Sequence, residues 1–581
     1  MKVCVIGAGP SGLTTIKQLL DEGHEVRCFE KGSDIGGIWQ RNPDPTADAE
    51  EMKVFDSLIL TISIKLMCYS DFMVSGDRVF YTHKQYRQYL DAYAEKFGLR
   101  QHIALNTPVE EVRKDEAGKW HVTVSSEGAR RTEVFDAVAV CNGPFQTPDT
   151  KSVPDIDRFA GEVVHSSAYR NNKRFAGKRV MVVGLAESGA DIAREVSDVA
   201  SECTLSIRSY SFLIPRVHNG EYATDATATR VLYYDHFVRS VRQRLPVPAL
   251  PGESIFQRFL FHFMAWTFGL ITTIFDLAAS RRKTGPNGDP TRNVMGEPAL
   301  PLKLDVGCEW TREHVDAINE WNKRSHNFAS NWSQRIIFSK NVSFIPNIVN
   351  GKLRVNDSGV ERIDGNRVFF KDGRDAEFDA IVLCTGFKKD FSALGADLSV
   401  QDNNVRNLYK HAFHPDHGGR LAFIGFVRPY TGGIPIVAEM QARYFALLCS
   451  GKHKLPADLG DRIRREKKWE DEMVALSPRH PETIPSQAIF IDGIAREIGC
   501  LMPLSKLLLR PRLLARHWFY PYNQACYRLT GPHSDPESAL REMMSNKLGP
   551  GGPLAFALFL MLFLPSFIHP KYVLFDYPRA R

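Results

Sequence analysis

Two glycine-rich turns carry the residues best suited to chemistry in this chain. Near the N-terminus an apolar run, Val3 to Ile6, enters Gly7-Ala-Gly9-Pro-Ser-Gly12, and a helical pattern, Leu13 to Leu20, follows. Strand, glycine turn and helix in that order form a seat for a dinucleotide pyrophosphate. Gly7 permits the tight turn, Gly9 lets the backbone approach the phosphates, Gly12 allows close helix packing, and the helix start offers N–H groups to the anion. A second strand, Glu25 to Phe29, ends in Glu30, 18 residues past Gly12, where a carboxylate can accept hydrogen bonds from a ribose. The following Gly36-Gly37-Ile-Trp39 suits backbone lying close against a flat cofactor.

The second turn, Gly184-Leu-Ala186-Glu-Ser188-Gly189, follows Arg179-Val-Met-Val-Val and leads into a helix over Ala190 to Val196. Its middle glycine is alanine, which adds a methyl near the pyrophosphate and loosens the fit. The next strand, Cys203 to Ile207, ends in Arg208, 19 residues past Gly189, where the first unit has a carboxylate. A cation there suits a 2′-phosphate, so NADPH is the expected second nucleotide.

The elements that must position these turns are parallel strands with crossover helices. Ala137 to Gly143 and Asp379 to Gly386 each read as a buried strand running into a small-residue turn, and we assign the second to the first nucleotide unit. The fold class is therefore α/β with two Rossmann-like dinucleotide-binding domains, the first interrupted by the second. The expected bounds are 1–157 and 336–445 for the first, 158–335 for the second with an insert at about 210–307, and a helical region at 446–581. At 581 residues the chain exceeds a single core. Its 74 basic and 67 acidic residues leave a net charge of +7, too small at this length to argue for nucleic acid. The ten cysteines are widely spaced, which excludes a CxxC redox pair and a local zinc cluster, so no metal site is assigned. Met1 leads directly into a strand with no secretory leader pattern, so the folded part is expected to face the cytosol with free thiols. The sequons at Asn331 and Asn341 are accordingly not expected to be glycosylated.

Between the two units lies Phe159-Ala-Gly161-Glu-Val-Val-His165-Ser-Ser-Ala-Tyr169, in which the sequence resembles the flavin-containing monooxygenases. The resemblance extends through Asp71-Phe72, the strand ending at Gly386, Leu421 to Gly425 and Glu439 to Arg443. It implies FAD at the first turn and NADPH at the second, with Phe159, Gly161, His165, Tyr169, Gly386 and Gly425 joining the cofactor-binding set. His165 is read as holding the linker between domains rather than moving protons. Alignment on Asp71 and Phe72 places Thr61 where the family usually carries an Asn beside the flavin, so Thr61 is the catalytic candidate, a shorter donor. The implied activity is NADPH- and O2-dependent oxygenation of soft nucleophilic N or S atoms in a small molecule through an oxygenated flavin. The alternatives are Baeyer–Villiger oxygenation of ketones, for which the related enzymes typically carry Trp at the position of Tyr169, and an uncoupled NADPH oxidase. A disulfide reductase is disfavoured by the lack of a close cysteine pair.

Apolar runs lie outside these motifs. Phe259 to Phe275, at the short limit for a span, fits a membrane-dipping or substrate-tunnel helix, with buried core or a true span as the alternatives. Leu554 to Ile568 is too short for a straight span, so interfacial attachment to a membrane is expected, cytosol-facing and at the endoplasmic reticulum if the cell is eukaryotic. Leu501 to Arg528, with Lys506, Arg510, Arg512 and Arg516 among apolar residues, fits a surface meeting anionic lipid or a solvated helix face. A homodimer is left open.

Overall fold

A computed structural model describes residues 1–40, 54–231, 233, 311–325, 338–473 and 483–548, with 77, 127, 219–221, 396, 399, 430, 431 and 485 set aside. The run Phe259 to Phe275, the sequon at Asn331 and the tail Leu554 to Ile568 lie outside these residues. Among the described residues no helix is long and apolar enough to cross a membrane.

The first sheet is built on β1 (Lys2–Ile6), whose Val3, Cys4 and Val5 are fully buried. Apolar side chains on both faces require cover on both sides, as parallel sheets receive from their crossovers. β1 pairs in parallel with β2 (Glu25–Phe29) and with Ala137–Val140, and Leu421–Phe423 and Ile103–Ala104 form the edges. Helix α1 (Pro10–Asp21) connects β1 to β2 and packs against the buried helix Ile434–Cys449.

The second sheet repeats the plan. β3 (Arg179–Val183) pairs in parallel with β4 (Glu202–Ser206) and with β5 (Ala380–Leu383), and Leu353–Asn356 and Glu162–His165 form the edges. Helix α2 (Glu187–Ser197) joins β3 to β4. The strand ahead of Gly386 therefore belongs to the second unit, which corrects its assignment to the first. The second unit's sheet draws on residues up to Leu383, and the first sheet resumes only at Leu421, so 336–445 is not one continuous return. A four-residue apolar run carries no mark of which parallel sheet it will join; hydrogen-bond register with distant strands decides that.

Each sheet carries a three-stranded antiparallel excursion, at 109–135 and 360–377. A short ribbon, Thr147–Pro148 against Phe387–Lys388, links the chain crossings between the two units.

The C-terminal helices pack onto the first unit around an internal ion cluster. The Arg528 guanidinium, 3% exposed, donates to Glu439 Oε1 at 2.6 Å, Asp71 Oδ2 at 2.9 Å and Ser70 Oγ at 2.7 Å, while Lys17 pairs with Asp71 at 2.7 Å. Leu501 to Arg528 is thus only partly a surface. Leu508 and Leu509 are 55% and 83% exposed beside exposed Lys506, Arg510 and Arg512, whereas Leu513, Trp518 and the stretch from Gln524 to Arg528 are buried. The nine described cysteines are unpaired, and Asn341 is fully buried, its amide donating to Asp191 Oδ1 at 2.6 Å.

Candidate functional site

The two glycine turns open on one cleft of about 1690 Å³. That exceeds the roughly 300–1,000 Å³ usual for a single small ligand and leaves room for more than one. Gly7, Gly9, Glu30, Gly37, Trp39 and Thr61 line it from the first unit, and Gly184, Ser188, Gly189 and Arg208 from the second. Gly386 and Gly425 lie on its walls as well.

The turns superpose in logic. Gly7 and Gly184 both have φ of +97°, a left-handed conformation that favours glycine. In the first unit a Cβ on Gly7 would lie 3.1 Å from Cys141 O, and in the second a Cβ on Gly184 would lie 2.6 Å from Cys384 O. Gly12 sits behind the first turn, and a Cβ there would be 1.9 Å from Gly7 O; Gly189 repeats this at 2.2 Å from Gly184 O. The helix starts must therefore press directly on the turns. Their N-caps, Gly9 and Ala186, supply no side-chain acceptor, so the first-turn N–H groups of α1 and α2 lack the cap that Thr82 provides at His83–Lys96. Uncapped N–H groups at the end of a helix dipole attract an anion.

Glu30 is set for recognition by the turn itself. Its Oε2 accepts from Ala8 N at 2.6 Å and its Oε1 from Gly32 N at 2.8 Å, which fixes the carboxylate at the end of β2. Gly37 continues the cradle, since a Cβ there would stand 3.0 Å from Gly9 Cα. Trp39 meets Tyr86 edge to face at 4.8 Å, which holds the indole at the cleft wall. Arg208 is exposed at the end of β4, with Gly359 and Lys371 lining the cleft nearby. Gly425, at φ +86°, packs so closely on Ser11 at the start of α1 that a Cβ would fall 1.9 Å from its Oγ.

Thr61 lies on a loop pinned at several points. Leu60 N donates to Tyr81 O, Ile64 N to Val79 O, and Ser63 N to Asp225 Oδ2 at 2.6 Å. Asp225 is 2% exposed and lies 3.9 Å from Arg78, so the Ser63 bond and a buried ion pair tie the Thr61 loop to the segment 224–228, which also lines the cleft.

The inter-unit fingerprint lies at the edge of the second unit's sheet. Phe159, Gly161, His165 and Tyr169 are not among the residues lining this cleft. Phe159 is buried in the core of the second unit, and a Cβ on Gly161 would lie 2.6 Å from Asp379 O, where the edge strand meets β5. His165 Nε2 lies 3.0 Å from Gly386 O and Nδ1 lies 3.0 Å from Ser167 Oγ, an anchor for the linker. Tyr169 donates its hydroxyl to Glu195 Oε2 at 2.7 Å in a fully buried position. Spacing alone could not separate a contact from a brace.

Sequence reasoning missed Glu187, Asp225 and Lys340, all on the cleft wall. Asp225 and Lys340 sit in segments with no motif and reach the cleft only through tertiary packing. Glu187 lies within the second turn itself, at the first position of α2. Burial raises the Glu187 carboxyl to about 7, against the opposing pull of Arg216 and a bond from Lys340 N; Asp191 adds to the rise. Lys340 is shifted down by burial, with Asp225 and Glu187 opposing.

Two parallel nucleotide-binding sheets facing one cleft define a two-dinucleotide oxidoreductase. The flavin-binding monooxygenase-like family profile matches residues 1–270 and 309–547. A 4-hydroxybenzoate brominase (decarboxylating) of Pseudoalteromonas luteoviolacea is 34% identical over 94% of this chain and 92% of its own length. Human flavin-containing monooxygenase 2 is 30% identical over 91% of this chain and 89% of its own. Among solved structures, the S-allyl-L-cysteine S-oxygenase of Allium sativum superposes with a TM-score of 0.56 at 21% identity, covering 94% of this chain and 97% of that one. The chain belongs to the flavin-binding monooxygenase-like family, and it is an FAD-dependent NADPH monooxygenase.

Proposed function

We propose that this protein oxygenates soft nucleophilic N or S atoms of small molecules, using the cleft shared by its two nucleotide turns. The observation that carries the reading is the convergence of both turns with Thr61 on one cavity. FAD, when bound, supplies the redox and oxygen-transfer chemistry, and NADPH supplies the electrons. The chain's own work is to bind, orient and exclude water.

The first turn with Glu30, Gly37 and Trp39 holds FAD, the start of α1 meeting its pyrophosphate and Glu30 its ribose. The second turn with Ser188 holds NADPH, and Arg208 meets its 2′-phosphate. Backbone at Gly386 and Gly425 approaches the cofactors closely, and the Thr61 hydroxyl donates a hydrogen bond at the reacting end of the flavin. Phe159, Gly161, His165 and Tyr169 hold the edge of the second unit and the linker that enters it.

A second reading is oxidative bromination of a phenolic acid. The brominase relatives at 34% identity favour it, and so does Lys340 on the cleft wall, whose ammonium makes no ion pair within 4 Å among the described residues. Its cation would meet a substrate carboxylate.

The test reduces purified holoenzyme with NADPH without oxygen, re-admits O2 and follows the flavin spectrum. Products are then analysed with a thioether, a tertiary amine, a ketone, and 4-hydroxybenzoate with bromide. A long-lived spectrum distinct from oxidised and reduced flavin, with S- or N-oxide formed, supports the first reading. Brominated phenol supports the second, lactone or ester would mean Baeyer–Villiger chemistry, and stoichiometric H2O2 with every substrate would mean an oxidase.

We further propose cytosol-facing attachment to a membrane through the apolar tail, aided by the exposed Leu508–Leu509 pair beside Lys506, Arg510 and Arg512. Ending the chain after Leu548 should retain FAD and shift the protein into the soluble fraction. Full-length protein that is soluble without detergent would refute the attachment.

A further inference from the structure

We infer that Glu187 enters the NADP(H) complex as the neutral acid, donating its carboxyl hydrogen to the dinucleotide, so that nucleotide binding takes up a proton. The inference rests on the reading that the second turn seats NADPH. Glu187 is the first residue of α2 and lines the cleft. The nucleotide's pyrophosphate is expected at this helix end, where an ionised carboxylate would oppose it.

The carboxyl is held from one side only. Its Oε1 accepts from Lys340 N at 2.8 Å, while its Oε2 is buried without a hydrogen-bond partner. A buried oxygen without a partner is costly, and a donor to a bound phosphate or ribose oxygen would satisfy it. The charged groups around it do not supply that partner. Arg216, 1% exposed, is turned to Asp191 at 3.2 Å, Asp191 also accepts from Asn341, and the Lys340 ammonium makes no ion pair among the described residues. Burial already places this carboxyl near half-protonation at neutral pH, at about 7. The arriving pyrophosphate, with one negative charge on each phosphate, shifts it further toward the acid form.

The sign follows from linkage. Free enzyme above pH 7 holds Glu187 mostly ionised, so forming the complex must bind a proton and affinity falls as pH rises. With one proton linked, the NADP+ Kd should rise about tenfold from pH 8 to pH 9. The 2′-phosphate titrates near pH 6 and is fully ionised in that window, so it contributes nothing there.

The experiment is calorimetric titration of NADP+ into the FAD holoenzyme at pH 8, in two buffers of different ionisation enthalpy. Uptake approaching one proton is expected for the wild type. Glu187→Gln, with FAD content checked first, should show no uptake, a Kd nearly flat from pH 7 to pH 9, and tighter binding than wild type at pH 9. Binding by the wild type with no proton uptake would overturn the inference while leaving the second-turn site intact. So would a Gln variant that takes up the same proton. Absence of NADP+ binding to wild-type holoenzyme would instead remove the second-turn assignment itself, and this inference with it.

Discussion

Replacing Gly12 by alanine should cost this protein its flavin, whereas the same change at Gly9 should only loosen the fit. The added methyl at Gly12 would lie 1.9 Å from Gly7 O, against a floor of 3.0 Å for real Cβ contacts, so turn and helix must separate by at least 1.1 Å. The obstacle is backbone, which cannot rotate away. Overpacking of this kind costs about 1–3 kcal/mol in stability. A displacement of that size also stretches hydrogen bonds from the start of α1 to a pyrophosphate from about 2.9 Å to about 4 Å, which abolishes them. Losing one charge-assisted bond at about 1.5–3 kcal/mol weakens FAD binding roughly tenfold to more than a hundredfold. At Gly9 the methyl would meet Gly37 Cα at 3.5 Å, an ordinary contact, and the second turn carries alanine at the matching position. Both variants should be purified alongside wild type, with flavin stoichiometry taken from the 450 nm to 280 nm absorbance ratio and melting followed with and without added FAD. The expected order of flavin content is wild type, then Gly9→Ala, then Gly12→Ala. Full flavin occupancy in Gly12→Ala with unchanged melting would refute the steric reasoning.

Arg208→Ala should raise the KM for NADPH about tenfold and leave that for NADH nearly unchanged, as expected when a charged hydrogen bond to the 2′-phosphate is lost; equal effects on both nucleotides would remove Arg208 from that role. Thr61→Asn should lower H2O2 released per NADPH by giving a longer donor at the same point of the cleft wall, and an unchanged peroxide yield would place Thr61 away from the reacting atoms. Arg528→Met should destabilise by about 3–5 kcal/mol, since it strips Glu439, which is fully buried, and Asp71 of a shared cation. A melting curve matching wild type would show that the cluster does not hold the C-terminal helices.

What the sequence determined alone is what short-range geometry can encode. A buried strand, a glycine turn and an uncapped helix are contiguous, so both nucleotide turns were legible, with Glu30 and Arg208 as contrasting strand-end residues. The resemblance over 159–169 was equally local and pointed to the family. Only the tertiary structure decided which sheet Ala380–Leu383 joins, because parallel pairing depends on strands some 200 residues away in Arg179–Val183. It also decided what Phe159, Gly161, His165 and Tyr169 touch, the core and edge of the second unit, since a fingerprint specifies residue types but not their contacts. The Asp225 bond to Ser63 spans 162 residues and the Arg528 bond to Asp71 spans 457. Such buried polar pairs leave no period or spacing in the chain, and they exist only once folding removes both partners from water and makes each the other's necessary hydrogen-bond partner.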